Sequence, residues 1–322
     1  LINLECQTNQ LTSLDVSNNT LLTRIECNGN QLTALDVGSN TALTSLSCFS
    51  NQLTSLDLSA NTALTNLHCD GNPLTSLDVS NNTALTELWC NANQLTNLDV
   101  SNNTALTKLS CDTNQLTSLD VSSNTALTQL WCMNNNLTSL DVSASADLEV
   151  LHAHDNSLTS LDLTNNAELF SLYIAMNNLT SLDVSNNTAL QNFSCYNNQL
   201  SSLDVSNNIA LTYFQLHGNQ LAILDLSSNT ALTRVAIEGN QLTYLNMKNG
   251  VTTQLTEFDA HNNSSLTCIE TLDPAYATAN WTSANGNIDA GVTFDVICGA
   301  AARTNWHVAS TGSDITGSGT LA

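Results

Sequence analysis

Apolar residues return along this chain on a fixed step. In residues 74–90, LTSLDVSNNTALTELWC, the recurring ones stand at 74, 77, 79, 85, 88 and 90, with polar residues between them. The phrase comes back as LTNLDVSNNTALTKLSC and LTSLDVSSNTALTQLWC. Aligned on its first leucine it starts at Leu11, Leu32, Leu53 and onward to Leu242, 21 residues apart each time. Leu88 and Cys90 flank one outward residue, the period-2 pattern of a strand. A strand this short cannot bury its own face, so successive copies must pair in parallel, about 4.8 Å apart, around a shared core. The spacing therefore predicts a β-rich solenoid of parallel strands with about 13 repeats.

Shifted by ten residues, each unit reads L-x-x-L-x-C-x-x-N-x-L, as in Leu22, Ile25, Cys27, Asn30 and Leu32. This resembles the leucine-rich repeat. A cysteine for the third leucine, in a 21-residue unit, is similar to the short bacterial repeats of the internalin type. The resemblance covers residues 1–266 and implies a leucine-rich-repeat solenoid. The asparagines from Asn9 and Asn30 to Asn240 fall where the chain turns inward, and their amides are expected to satisfy backbone groups of that turn. Cys6, Cys27, Cys48, Cys69, Cys90, Cys111, Cys132 and Cys195 share the third-leucine slot, which Ala153 and Ile174 fill elsewhere. Cysteines in register point the same way and sit too far apart to bridge, so a ladder of buried free thiols is expected.

Cys268 and Cys298 lie outside this ladder, where the repeat breaks down. An open solenoid end needs closing. Residues 267–299 are expected to form a C-terminal cap linked by a Cys268–Cys298 disulfide, with Trp281, Phe294 and Ile297 sealing the last repeat. The segment resembles the capping region of leucine-rich arrays in secreted surface proteins of the Bacteroidetes. Residues 300–322 are Gly/Ser/Thr-rich and read as a linker or the start of a truncated second domain, similar to the opening of a β-helix.

Charge narrows the partners. Five Lys and Arg stand against 28 Asp and Glu, a formal net charge of −23. Such a surface repels phosphates, which argues against nucleic acid, and no apolar run is long enough for membrane insertion. The acidity fits a secreted or cell-surface setting. An aspartate recurs in every L-D-V or L-D-L from Asp15 to Asp225. Stacked carboxylates repel, so each needs a local hydrogen bond or a cation; no cofactor is expected unless calcium binds here, with Asp78, Asp99 and Asp120 as its candidate ligands.

The framework is nearly constant between copies, while the outward strand columns vary. Trp89, Trp131, His152 and Tyr173 fall together in the middle repeats, with Met133, His154, Met176 and Tyr196 beside them. Trp89 and Trp131 are two strands apart, about 9.6 Å at strand spacing, a separation suited to alternate sugar rings. Exposed aromatics grouped this way mark a contact surface. The expected function is a non-enzymatic recognition or adhesion module, binding a protein or a polysaccharide on the concave strand face. Two alternatives are a structural acidic spacer or filament subunit, and a glycan-binding module attached to a carbohydrate-active β-helix domain. No catalytic motif is present; His152, His154 and Asp155 lack the further ligand a firm metal site needs.

Overall fold

The computed structural model describes residues 1–299; the reading of 300–322 lies outside the described residues. The unit from Leu116 to Asn136 explains its neighbours. Leu116, Leu119, Val121, Leu127, Leu130 and Cys132 are all buried, none more than 7% exposed. In the strand Gln129–Trp131 only Leu130 faces inward. That strand pairs in parallel with Lys108–Ser110 and Val150–His152, setting Leu130 beside Leu109 and Leu151. Side chains of one repeat position therefore stack on themselves, and the core is one continuous column. Thirteen strands, from Asn3–Glu5 to Glu257–Asp259, form this single sheet.

The asparagine expectation holds atom by atom. Asn135 Nδ2 donates to the Cys132 and Cys111 carbonyls, and its Oδ1 accepts from the Leu116 amide at 3.0 Å. One amide thus ties two adjacent coils. A second buried series works on the far side, where Asn124 Nδ2 donates to the Val100 and Asn103 carbonyls. The eight ladder cysteines are unbridged, seven of them buried. Burial pushes the thiols up, to about 12 at Cys27 and Cys132, so they serve as small apolar residues.

One feature of the turn was invisible in the pattern. Two residues past each cysteine slot the backbone is left-handed. Only some repeats place glycine there (Gly29, Gly71, Gly218, Gly239), while Thr8, Ser50, Ala92, Thr113 and Met176 hold the same conformation. For a β-branched residue this costs about 1–2 kcal/mol. Thr113→Gly is therefore expected to raise stability by roughly 1 kcal/mol after glycine's larger unfolded-chain entropy is subtracted. Urea unfolding checks it, and a loss of stability would mean the Thr113 side chain contributes more than its strain.

The C-terminal end differs from the periodic prediction by adding a second sheet. Ile223–Asp225, Tyr244–Met247, Cys268–Thr271 and Thr293–Asp295 pair in parallel on the side opposite the main strands. Earlier repeats run through this side unpaired apart from an Asp15–Asp36 bridge. The change follows a composition shift: the small residue before the leucine, such as Ser118 or Ser139, becomes Ile223 and Tyr244, which favour strands. Beyond it a short helix, Pro274–Asn280, starts on an Asp273 cap that accepts from the Tyr276 amide. Trp281 stacks on Phe258 at 4.0 Å and meets Phe294 edge-on, closing the core. Ile297, expected in the same seal, is only half-buried and stays outside the packed cluster. Cys268 and Cys298 form the expected disulfide.

Candidate ligand-binding face

Each main strand turns its first and third residues outward, so the variable columns lie side by side along the sheet. In the third-residue column, His68, Trp89, Trp131, His152 and Tyr173 make an unbroken line of ring contacts, with centroid separations of 5.5, 5.5, 6.4 and 4.5 Å. Tyr213 extends it, 6.3 Å from Tyr173. The spacing of Trp89 and Trp131 corrects the sequence reading. Their rings do not stand two strands apart but lean together over Ser110, which lies between them and is 3% exposed. A small residue between two indoles leaves a gap, and closing it buries apolar surface that would otherwise stay wet. Two sugar rings could not sit separately on rings that touch.

The neighbouring column carries Met133, His154 and Tyr196. His154 lies 6.5 Å from His152, and Tyr196 stacks on His217 at 4.2 Å with planes 10° apart. Met176 belongs to neither column; it occupies the left-handed turn position, exposed, with Sδ 3.8 Å from the Tyr196 hydroxyl. His68, Tyr213 and His217 were not among the sequence-derived site residues. Tyr213 had a signal: it is the one aromatic in the first strand column, whose other members are Asn, Arg, Ser, Glu, Lys, Gln and a single Val.

The two central imidazoles are uncharged, with the carboxylates of Asp112 and Asp155 beside them. Burial lowers the His152 imidazole to about 4, helped by nearby His154, and burial lowers His154 despite Asp155 and Asp112. Trp89 Nε1, His68 Nε2 and His154 Nδ1 are buried without a hydrogen-bond partner. Each such group costs about 1–3 kcal/mol until something pairs with it. Toward the N-terminal strands the face becomes a polar trough of about 830 Å³ floored by groups such as Asn28, Asn66, Glu26 and Glu87.

The aspartate series lies on the opposite side. Asp78, Asp99 and Asp120 each accept from the backbone amide two residues on (Ser80, Ser101 and Ser122) at 2.9 Å. Hydrogen bonding from the same serines, by the side chain first and then the backbone amide, holds each carboxyl below its ordinary range. The carboxylates do not converge on a point, and among the described residues no three His, Cys, Asp or Glu side chains are grouped to hold a metal. Among the same residues no helix is long and apolar enough to cross a membrane.

A thirteen-stranded parallel stack with an asparagine turn and a cysteine file defines a leucine-rich-repeat solenoid. Solved structures agree. The functional domain of InlJ from Listeria monocytogenes, which includes a cysteine ladder, is 37% identical over 86% of this chain and 65% of that one, with a TM-score of 0.81. An internalin, InlF, from the same organism is 22% identical over 84% of this chain and 86% of its own, TM-score 0.74. A leucine-rich-repeat protein of Leptospira interrogans is 24% identical over 84% and 78%, TM-score 0.71. No protein-family model and no curated protein matches the sequence. The fold is a leucine-rich-repeat solenoid with a cysteine ladder, similar to that of the InlJ domain. The chain spans just under two thirds of the InlJ domain it resembles.

Proposed function

We propose that this chain is a non-enzymatic recognition module, secreted or displayed at a cell surface, whose strand face binds a protein. The observation that carries the reading is the line of contacting rings from His68 to Tyr213, with the Trp89 indole N–H buried and unpartnered. Clustered aromatics of this kind dominate the energetics of protein interfaces, and solenoids present them on an extended surface. A polysaccharide is the second reading, favoured by the amide- and carboxylate-lined trough that reaches His68 at the end of the ring line.

The test is a screen of the protein against surface-protein and glycan arrays, with and without calcium, beside a Trp89→Ala/Trp131→Ala/Tyr173→Ala variant. The expected result is a protein hit weakened at least tenfold in the variant, with unfolding behaviour little changed. Binding that survives the triple substitution would refute the strand face as the contact surface and favour a structural spacer.

A further inference from the structure

Two outward small residues interrupt the aromatic columns, and the chain treats them differently. Over Ser110 the indoles of Trp89 and Trp131 close the gap from both sides. Beside Ser194 and its diagonal neighbour Ala175 nothing closes. Tyr173 packs against His152 and Tyr213, while Tyr196 stacks on His217. What remains is a depression of about 300 Å³, its floor Ala175 and Ser194 (2% and 1% exposed) and its walls His152, His154, Tyr173 and Tyr196.

From this geometry we infer that the depression is an anchor pocket for one aromatic side chain, carried on a basic segment of a partner protein. The inference rests on the strand face being the binding surface, and it names what binds there. Ring walls and a methyl floor match an apolar side chain in shape and polarity. The polar groups present are few. Ser194 Oγ is engaged with Gln215 Oε1 at 3.3 Å, and His152 Nε2 with Ser171 Oγ, leaving His154 Nδ1 as the buried nitrogen without a partner. That buried nitrogen suits a tyrosine hydroxyl or a tryptophan N–H, and the ring-lined walls favour an aromatic side chain over a sugar.

Charge complementarity selects a basic flank. The protein carries −23, and among the described residues Arg24, Lys108, Arg234 and Lys248 each already pair with a glutamate. Asp112 and Asp155 lie close enough to act on His154, and Glu238 sits 3.6 Å from His217 beyond the other wall. Arginines or lysines on either side of the anchor would meet these carboxylates.

The test uses Ac-Arg-Tyr-Arg-NH2, Ac-Arg-Ala-Arg-NH2 and methyl β-glucoside as probes, read by the imidazole NMR signals of His152 and His154. The tyrosine peptide is expected to shift both signals, at least tenfold more tightly than either other probe and less tightly as salt is raised. Ser194→Tyr and, separately, Ala175→Met fill the pocket with residues that Tyr173 and Met133 already supply at equivalent positions, so both variants keep the fold. Each should weaken the tyrosine peptide tenfold or more. Equal binding of the glucoside, no preference for tyrosine over alanine, or indifference to both filling variants overturns the pocket. An array ligand lost in the Trp89/Trp131/Tyr173 variant but kept in Ser194→Tyr would overturn the pocket alone; loss in neither would overturn the face.

Discussion

Asn114→Ala should cost the protein about 3–5 kcal/mol, far more than trimming a surface amide. Asn114 Nδ2 donates to the carbonyls of Cys90, Cys111 and Asp112, and its Oδ1 accepts from the Leu95 amide. Leu95 is fully buried, so its N–H would be stranded, at about 1–3 kcal/mol, and the lost donations add about 1 kcal/mol each at most. Asn114→Leu separates this from packing. It restores the volume but not the bonds, and it should be no better than alanine. The chain contains its own control. In the far-side series Ser145 stands where other repeats have asparagine, and its Oγ still donates to the Asn124 carbonyl. Asn124→Ser should accordingly cost less than Asn114→Ala. Urea unfolding followed by circular dichroism reads all three. A leucine variant as stable as the parent would show that the amide fills space rather than satisfying the turn.

The difference between those two series also explains what the sequence could reveal. A position that every coil must satisfy in the same way is legible from one chain, because the chain is its own alignment. The asparagine turn, the inward leucines, the thiol file and the strand pairing all follow from local requirements repeated at each step. Cys268 and Cys298 were legible for the opposite reason: they break the period. What was lost is what depends on neighbours of unequal size. The 9.6 Å spacing of Trp89 and Trp131 assumed rings standing straight out, and Ser110 lets them lean together. Tyr213 was missed because its ring crosses from one column to another to reach Tyr173. The pocket beside Ser194 exists only because Tyr196 turns toward His217. Left-handed turns at Thr113 and Met176 defeat the rule that such positions read as glycine; the neighbouring coils impose the geometry there.

Loss of the Cys268–Cys298 bridge should have the second large effect, and it should be local. The bond closes a loop with a sequence separation of 30 residues. Opening a loop of that length frees the unfolded chain by about 3.5–4 kcal/mol in the chain-entropy account. The bridge holds the strand Cys268–Thr271 to the segment behind Thr293–Asp295, and between them runs the chain that lays Trp281 over Phe258. Glu270 is the second fastening. It is only 6% exposed, ion-pairs with Lys248, accepts from the Tyr244 hydroxyl and takes the Cys298 amide on its other oxygen. Burial, with that carboxylate's help, pushes the Tyr244 phenol up to about 12. Its hydrogen bond to the Cys298 amide survives in a Cys268→Ser/Cys298→Ser variant, so the cap should loosen rather than detach. Adding Glu270→Gln removes the ion pair with Lys248 and should release it. Because each coil contacts only its neighbours, the loss should fade along the stack. Amide exchange should quicken through residues 244–299 and stay slow around Leu109 and Leu130. Uniform acceleration across the array would instead mean that the cap's closure is felt by every repeat and that the solenoid unfolds as one unit.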